Sequence, residues 1–159
     1  MILRSSSKQI SKEIQEKLDI FFSDLKTNGV SYIGHGIINH QGDHTGYFSN
    51  EKWGEFYIQN QFFFHEPILE NYEKKTLDLI SWKTMKQPNS IIQARTEFTN
   101  IISGITLCKS DGDFNSFFNV GFDQDIDLVA YTFFKRDLLL AYFNIFNNYH
   151  LSWRKAKII

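Results

Sequence analysis

Near its C-terminus the chain carries a helix with more apolar surface than one exposed element can hide. Spacing predicts a long helix starting near Phe134, on which Leu138, Tyr142, Ile145, Phe146, Tyr149 and Trp153 form one stripe. Leu139, Leu140 and Phe143 widen that stripe well past the usual arc. Such a helix is either sunk in a core or shared with a second chain.

The 159 residues are one domain's worth, large enough to bury a real core, and a single domain is expected over 1–159. Hydrophobic content of 42% with 22% charge is globular and excludes disorder. The unusual figure is 16% aromatic, mostly from 16 Phe and 7 Tyr. Some of that surface belongs inside, and some can line a cavity or an interface. A net charge of −1 leaves no electrostatic footprint for nucleic acid, which needs a basic patch to neutralise phosphates. The single cysteine, Cys108, cannot make an internal disulfide, which fits a reducing compartment. The start, MILRSSSKQISKEI, lacks the apolar core of a signal peptide, and no run approaches a membrane span. A cytoplasmic protein without membrane contact is expected.

Turn chemistry divides the remainder. Ile10, Ile14, Leu18, Phe21, Phe22 and Leu25 follow helical spacing up to a stop at Asn28-Gly29. Residues Val30 to Asn39 read as a strand, His40 to Gly46 as a turn, and Thr45 to Ser49 as its partner strand. Asn50 is a cap for a following helix. Ser90 can cap a helix from Ile91 to about Ile102, and two strands, Gly104 to Lys109 and Phe114 to Phe122, flank an Asp111-Gly112 turn.

The chemistry concentrates between Tyr47 and Trp82. Trp53 and Tyr57 lie four apart and project from one helix face. Glu66-Pro67 follows; Pro67 suits the first turn of a short helix, which puts Glu66 near that helix's N-terminus, where negative charge is favoured. If Trp53, Tyr57, Glu66 and Trp82 converge, they offer an indole N–H, a phenol, a carboxylate and aromatic walls. That set suits a small, mostly apolar molecule with one carbonyl and one N–H. Plainer readings stay open: Trp53 and Tyr57 also fit an ordinary core, Glu66 a surface helix start, and Thr106 an ordinary strand residue.

Catalysis has no foothold. His35, His40 and His44 straddle a strand and a turn without a cysteine, unlike the close, paired ligands of zinc sites. His44 beside Asp43 and near Ser49 is not a triad, which is defined by geometry. There is no phosphate-cradling glycine loop and no nucleophile motif, so neither an enzyme nor a cofactor or metal is expected.

Trp53, Tyr57, Glu66-Pro67, Trp82 and then Ser103-Gly104-Ile105-Thr106 together resemble the autoinducer-binding domain of LuxR-type quorum-sensing regulators, over most of the chain. The resemblance implies an α+β fold, an α/β/α sandwich with a central antiparallel sheet between helical layers. It implies an acyl-homoserine lactone held between the sheet and one layer. On that likeness Trp53 donates to the lactone carbonyl, Glu66 accepts the amide N–H, and Tyr57 and Trp82 are walls. Gly104 opens an inner strand, followed by Thr106. Three positions depart from the family pattern. Glu66 stands where the family has Asp, Ser49 where many members have a tyrosine that bonds the acyl carbonyl, and Phe118 where a Ser or Thr does similar work. Two lost hydrogen bonds at ~0.5–1.5 kcal/mol each would weaken binding of the usual lactones by one to two orders of magnitude.

Members of that family normally continue into a helix-turn-helix domain. The basic tail RKAKII has no room for one, so direct operator binding is not expected. Two readings follow. One is a stand-alone sensor of an acyl-homoserine lactone or related amphiphile. The other is a module with its pocket filled by Phe118 and its neighbours. That module would pair with itself, or with a full-length regulator, through the last helix.

Overall fold

Asn28-Gly29 ends the first helix as its turn chemistry demands. Helix α1 spans Lys12–Thr27, and Gly29 sits at φ +86°. Its N–H donates to Lys26 O at 3.1 Å, and the Val30 N–H donates to Leu25 O at 3.2 Å. This is the Schellman closure, in which one left-handed residue lets two orphan carbonyls find donors.

The computed structural model describes residues 2–4, 12–39, 44–62, 78–82, 90–110 and 114–155. Within them α1 is joined by α2 (Glu51–Gln59), α3 (Ser90–Thr99) and α4 (Leu128–Lys155). The strands are β1 (Ile2–Arg4), β2 (Tyr32–Asn39), β3 (His44–Phe48), β4 (Asp78–Ser81), β5 (Ser103–Ser110) and β6 (Phe114–Phe122). They form one sheet in the order β1-β3-β2-β6-β5-β4, with every neighbouring pair antiparallel.

The sheet is covered on both faces, as an α/β/α sandwich requires. On one face, Leu18, Phe22 and Leu25 of α1 and Leu139, Phe143 and Phe146 of α4 pack on Ile33, Tyr47, Leu107, Phe118 and Val120. On the other, Trp53 and Tyr57 of α2 and Ile91 of α3 pack with Tyr32 and Ile101. Strand alternation sorts the residues: in β6, Phe118 points to the α1/α4 layer, so its neighbour Asn119 points to the α2/α3 layer.

Several boundaries differ from the sequence expectation. Helix α4 begins at Leu128, six residues before Phe134. Asp127 caps it, its Oδ1 accepting the Ala130 N–H at 3.0 Å. The first turns escape periodicity because three of their apolar residues point away from the core: Val129, Phe133 and Phe134 are 81%, 79% and 78% exposed. Helix α3 stops at Thr99, short of Ile102, because Asn100 turns left-handed at φ 58°. Strands β1 and β4 leave no mark in the sequence pattern, since three and four residues are too short for alternation to register. Of the turn expected over His40 to Gly46, residues 44–46 instead belong to β3, paired with β2 and β1; its remainder, the Asp111-Gly112 turn and the short helix after Pro67 lie outside the described residues. Among the described residues no helix is long and apolar enough to cross a membrane.

Candidate functional site

The cap of α2 fixes the central tryptophan. Asn50 Oδ1 accepts the Trp53 backbone N–H at 2.8 Å, which seats Trp53 in the first turn with Tyr57 one turn further on. Both side chains turn inward. Trp53 is 0% exposed, and its ring meets that of Tyr57 edge-on at 5.6 Å. Phe62 at 6.1 Å and Phe98 of α3 at 5.8 Å add further rings around Trp53, and Phe48 lies 5.0 Å from Tyr57. Inside this aromatic shell the Trp53 indole Nε1 is buried and has no hydrogen-bond partner among the described residues. A buried N–H left unmet costs about 1–3 kcal/mol, so native folds rarely leave one without a reason.

Trp82 reaches the same layer from the end of β4 and rests on the floor of the sheet. Its indole lies against Gly104, where an added Cβ would fall 2.5–2.6 Å from three ring atoms. Only a residue without a side chain admits the ring there. Trp82 Nε1 donates to Thr106 Oγ1 at 2.9 Å, and Thr106 Oγ1 donates to Asn119 Oδ1 at 2.7 Å. The Trp82 and Thr106 donors are thereby spent on one another and on the sheet.

Between the two tryptophans stands a residue the sequence reading passed over. Arg95 of α3 is 2% exposed, and its guanidinium carbon lies 5.5 Å from the Trp53 ring and 5.3 Å from the Trp82 ring. Contacts of this kind attract a cation to the negative face of an indole. A signal for it existed: Arg95 sits four after Ile91, on the buried stripe of α3, where a cation is out of place.

The structure thus brings Trp53, Tyr57, Trp82 and Thr106 into one layer, with Arg95, Asn119 and Phe98 added. Glu66 lies outside the described residues. Ser49 is near but otherwise engaged: its Oγ accepts the Ile33 N–H at 3.0 Å and its own N–H donates to Ile33 O at 3.0 Å, which closes the end of the β2/β3 hairpin. Phe118 does not share the layer. It lies across the sheet, 5.8 Å from Phe143 and 5.4 Å from Phe146, so it fills the core under α4 and cannot fill a space beside Trp53. The expectation that placed it there fails on strand parity, because a one-residue shift moves a side chain to the opposite face.

The same far face holds a buried polar cluster. His35 Nε2 lies 2.7 Å from Asn147 Oδ1, and Asn147 Nδ2 donates to Ser116 Oγ at 3.2 Å. The amide donates on its nitrogen side, so its oxygen accepts and His35 carries its proton on Nε2. Burial lowers the imidazole pKa from 6.5 to about 4, against the opposing pull of the Asn147 bond. A cleft of about 350 Å³ between the end of α1 and the start of α4, lined by Val30, Phe122 and Tyr131 among others, shares no residue with the Trp53 layer.

No family model matches the chain, and no curated protein matches it by sequence. Solved structures do match by shape. CepR2 of Burkholderia cenocepacia, an N-acylhomoserine lactone dependent LuxR family transcription factor, superposes with a TM-score of 0.65 at 12% identity. That match covers 88% of this chain and 84% of the other. SdiA of Escherichia coli gives 0.57 at 13% identity over 87% of this chain and 60% of its own; SdiA is also known in complex with octanoyl-rac-glycerol. The VqsR LBD domain of Pseudomonas aeruginosa gives 0.58 at 12% identity over 83% and 90%. At such identities the likeness is one of fold.

Proposed function

We propose that this chain, whose fold is that of LuxR-type autoinducer-binding domains, is a non-enzymatic sensor that holds a small amphiphile between the sheet and the α2/α3 layer. The observation that carries the reading is the Trp53 indole N–H, fully buried inside an aromatic shell and without an acceptor among the described residues. A ligand oxygen would meet that donor, and Tyr57, Trp82 and Phe62 would wall an acyl chain. Glu66 is proposed as acceptor for a ligand N–H, and Thr106 acts through Trp82, which it holds in place. The neighbours support the same class of ligand: one is named as N-acylhomoserine lactone dependent, and another is known with octanoyl-rac-glycerol.

A ligand that binds only the folded state raises stability by RT ln(1 + [L]/Kd), about 2.7 kcal/mol at a hundredfold excess over Kd. A melting-temperature screen with acyl-homoserine lactones of graded chain length, octanoyl glycerol and cell lipid extract tests the reading. A rise with at least one of them is expected. A flat result across all three groups removes it.

A second reading is favoured by Val129, Phe133 and Phe134, exposed side by side on the first turns of α4. These would carry an interaction with a second copy or with a full-length regulator. Mass in solution decides it for self-association: a monomer at all concentrations excludes a homodimer.

A further inference from the structure

From Ser116 to Phe122 every residue of β6 is buried except Asn119, although β6 lies between β2 and β5 in the middle of the sheet. A half-buried side chain at the centre of a covered sheet has open space above it. Asn119 points into the α2/α3 layer, in register with Thr106 of β5 on one side and Gly34 of β2 on the other. The hydrogen bonds that reach it run in one direction. An indole N–H only donates, so Trp82 Nε1 donates to Thr106 Oγ1 at 2.9 Å and the hydroxyl's own proton must go onward. It goes to Asn119 Oδ1 at 2.7 Å. With its oxygen held toward β5, the amide turns its nitrogen, with two N–H groups, away from that strand. Gly34 has no side chain to receive them, and among the described residues the Asn119 side chain makes no other hydrogen bond.

We propose that the site selects amphiphiles that carry a carbonyl in the chain as well as an oxygen in the head group, that Asn119 Nδ2 donates to the chain carbonyl, and that Thr106 is the positioning residue that aims it; this rests on the sensor reading above and names the ligand's second anchor. The Trp53 N–H serves the head group from α2, and Asn119 serves the chain from the floor of the sheet. A chain of methylenes alone would strip water from the amide and give no bond in return, so a floor built around a donor rejects a ligand that lacks the acceptor. An amide carries no charge, so its direction, and not the charge balance of the layer, makes the selection.

The experiment compares matched neutral pairs by calorimetry on the whole chain: octanoyl glycerol against octyl glycerol ether, and N-(β-ketooctanoyl)-homoserine lactone against N-octanoyl-homoserine lactone. In at least one pair the member with the extra carbonyl is expected to bind about 3- to 10-fold more tightly, as for one neutral hydrogen bond. Asn119→Ala is expected to erase that preference; should it not fold, Asn119→Leu, which keeps the volume, gives the same reading. Thr106→Val, which lets the amide turn, is expected to weaken the preference, and Thr106→Ser, which keeps the hydroxyl, to restore it. If the wild-type chain binds both members of each pair equally, the proposal is overturned and the sensor reading stands. A preference that survives Asn119→Ala, or that is untouched in Thr106→Val, overturns it likewise. If none of the four molecules binds, both fall.

Discussion

Two opposing terms meet at Trp53. Its ring is wholly buried among Tyr57, Phe62 and Phe98, while its N–H has no hydrogen-bond partner among the described residues. Trp53→Phe removes the unmet donor, worth about 1–3 kcal/mol, at a cost in lost ring volume on the order of 1–2 kcal/mol. Urea unfolding should therefore find the ligand-free variant within about 1 kcal/mol of wild type, whereas Trp53→Ala should lose about 3–5 kcal/mol. The phenylalanine variant should also lose most of the ligand-induced rise in melting temperature. A loss as large as alanine's would mean the indole N–H is satisfied in the folded chain.

At the scale of elements, the tightest constraint is the approach of Trp82 to β5. Gly104→Ala puts a methyl into the indole, and the ring cannot move without breaking its bond to Thr106. Overpacking of this kind costs about 1–3 kcal/mol. The variant should show both that loss and a shifted tryptophan emission; unchanged emission would mean the ring is not seated on Gly104. Helix α4 offers a contrast along one element. Phe143 is buried against Phe118 and His35, and Phe143→Ala should cost about 3–5 kcal/mol. Phe133 is exposed, and Phe133→Lys should change the stability of the monomer by less than about 0.5 kcal/mol. A large loss at Phe133 would show that its apolar surface is covered in solution, which would favour the interaction reading.

For the whole molecule, the layers are tied through groups that respond to acid. His35 joins β2 to α4 through Asn147, whose Nδ2 in turn donates to the Ser116 hydroxyl of β6, among the rings of Phe118, Phe143 and Phe146. The unfolded chain protonates this imidazole near 6.5, the folded chain only near pH 4. Above 6.5 both states are neutral and the full contribution is present. As pH falls from 6.5 to about 4 only the unfolded state gains the proton, so stability drains away; below that no more is lost. The shift corresponds to about 3 kcal/mol. The measurement is a difference between variant and wild type: His35→Gln should flatten the wild-type slope between pH 6.5 and 4. A slope unchanged in the variant would place the acid sensitivity elsewhere.

Local chemistry alone determined much of this protein. The Asn28-Gly29 stop, the Asn50 cap, the inward pair Trp53 and Tyr57, and the β2/β3 and β5/β6 strands all follow from interactions within a few residues, which a sequence displays directly. The layered α+β architecture was legible through the family pattern of Trp53, Tyr57 and Trp82. Tertiary structure alone decided which face each strand residue meets, and so separated Phe118 from Thr106 and Asn119. It also decided that Arg95 stands between two indoles and that the Trp53 N–H finds no acceptor among the described residues. Those facts depend on side chains far apart in the chain, and on a strand parity that one residue reverses, so no local window contains them.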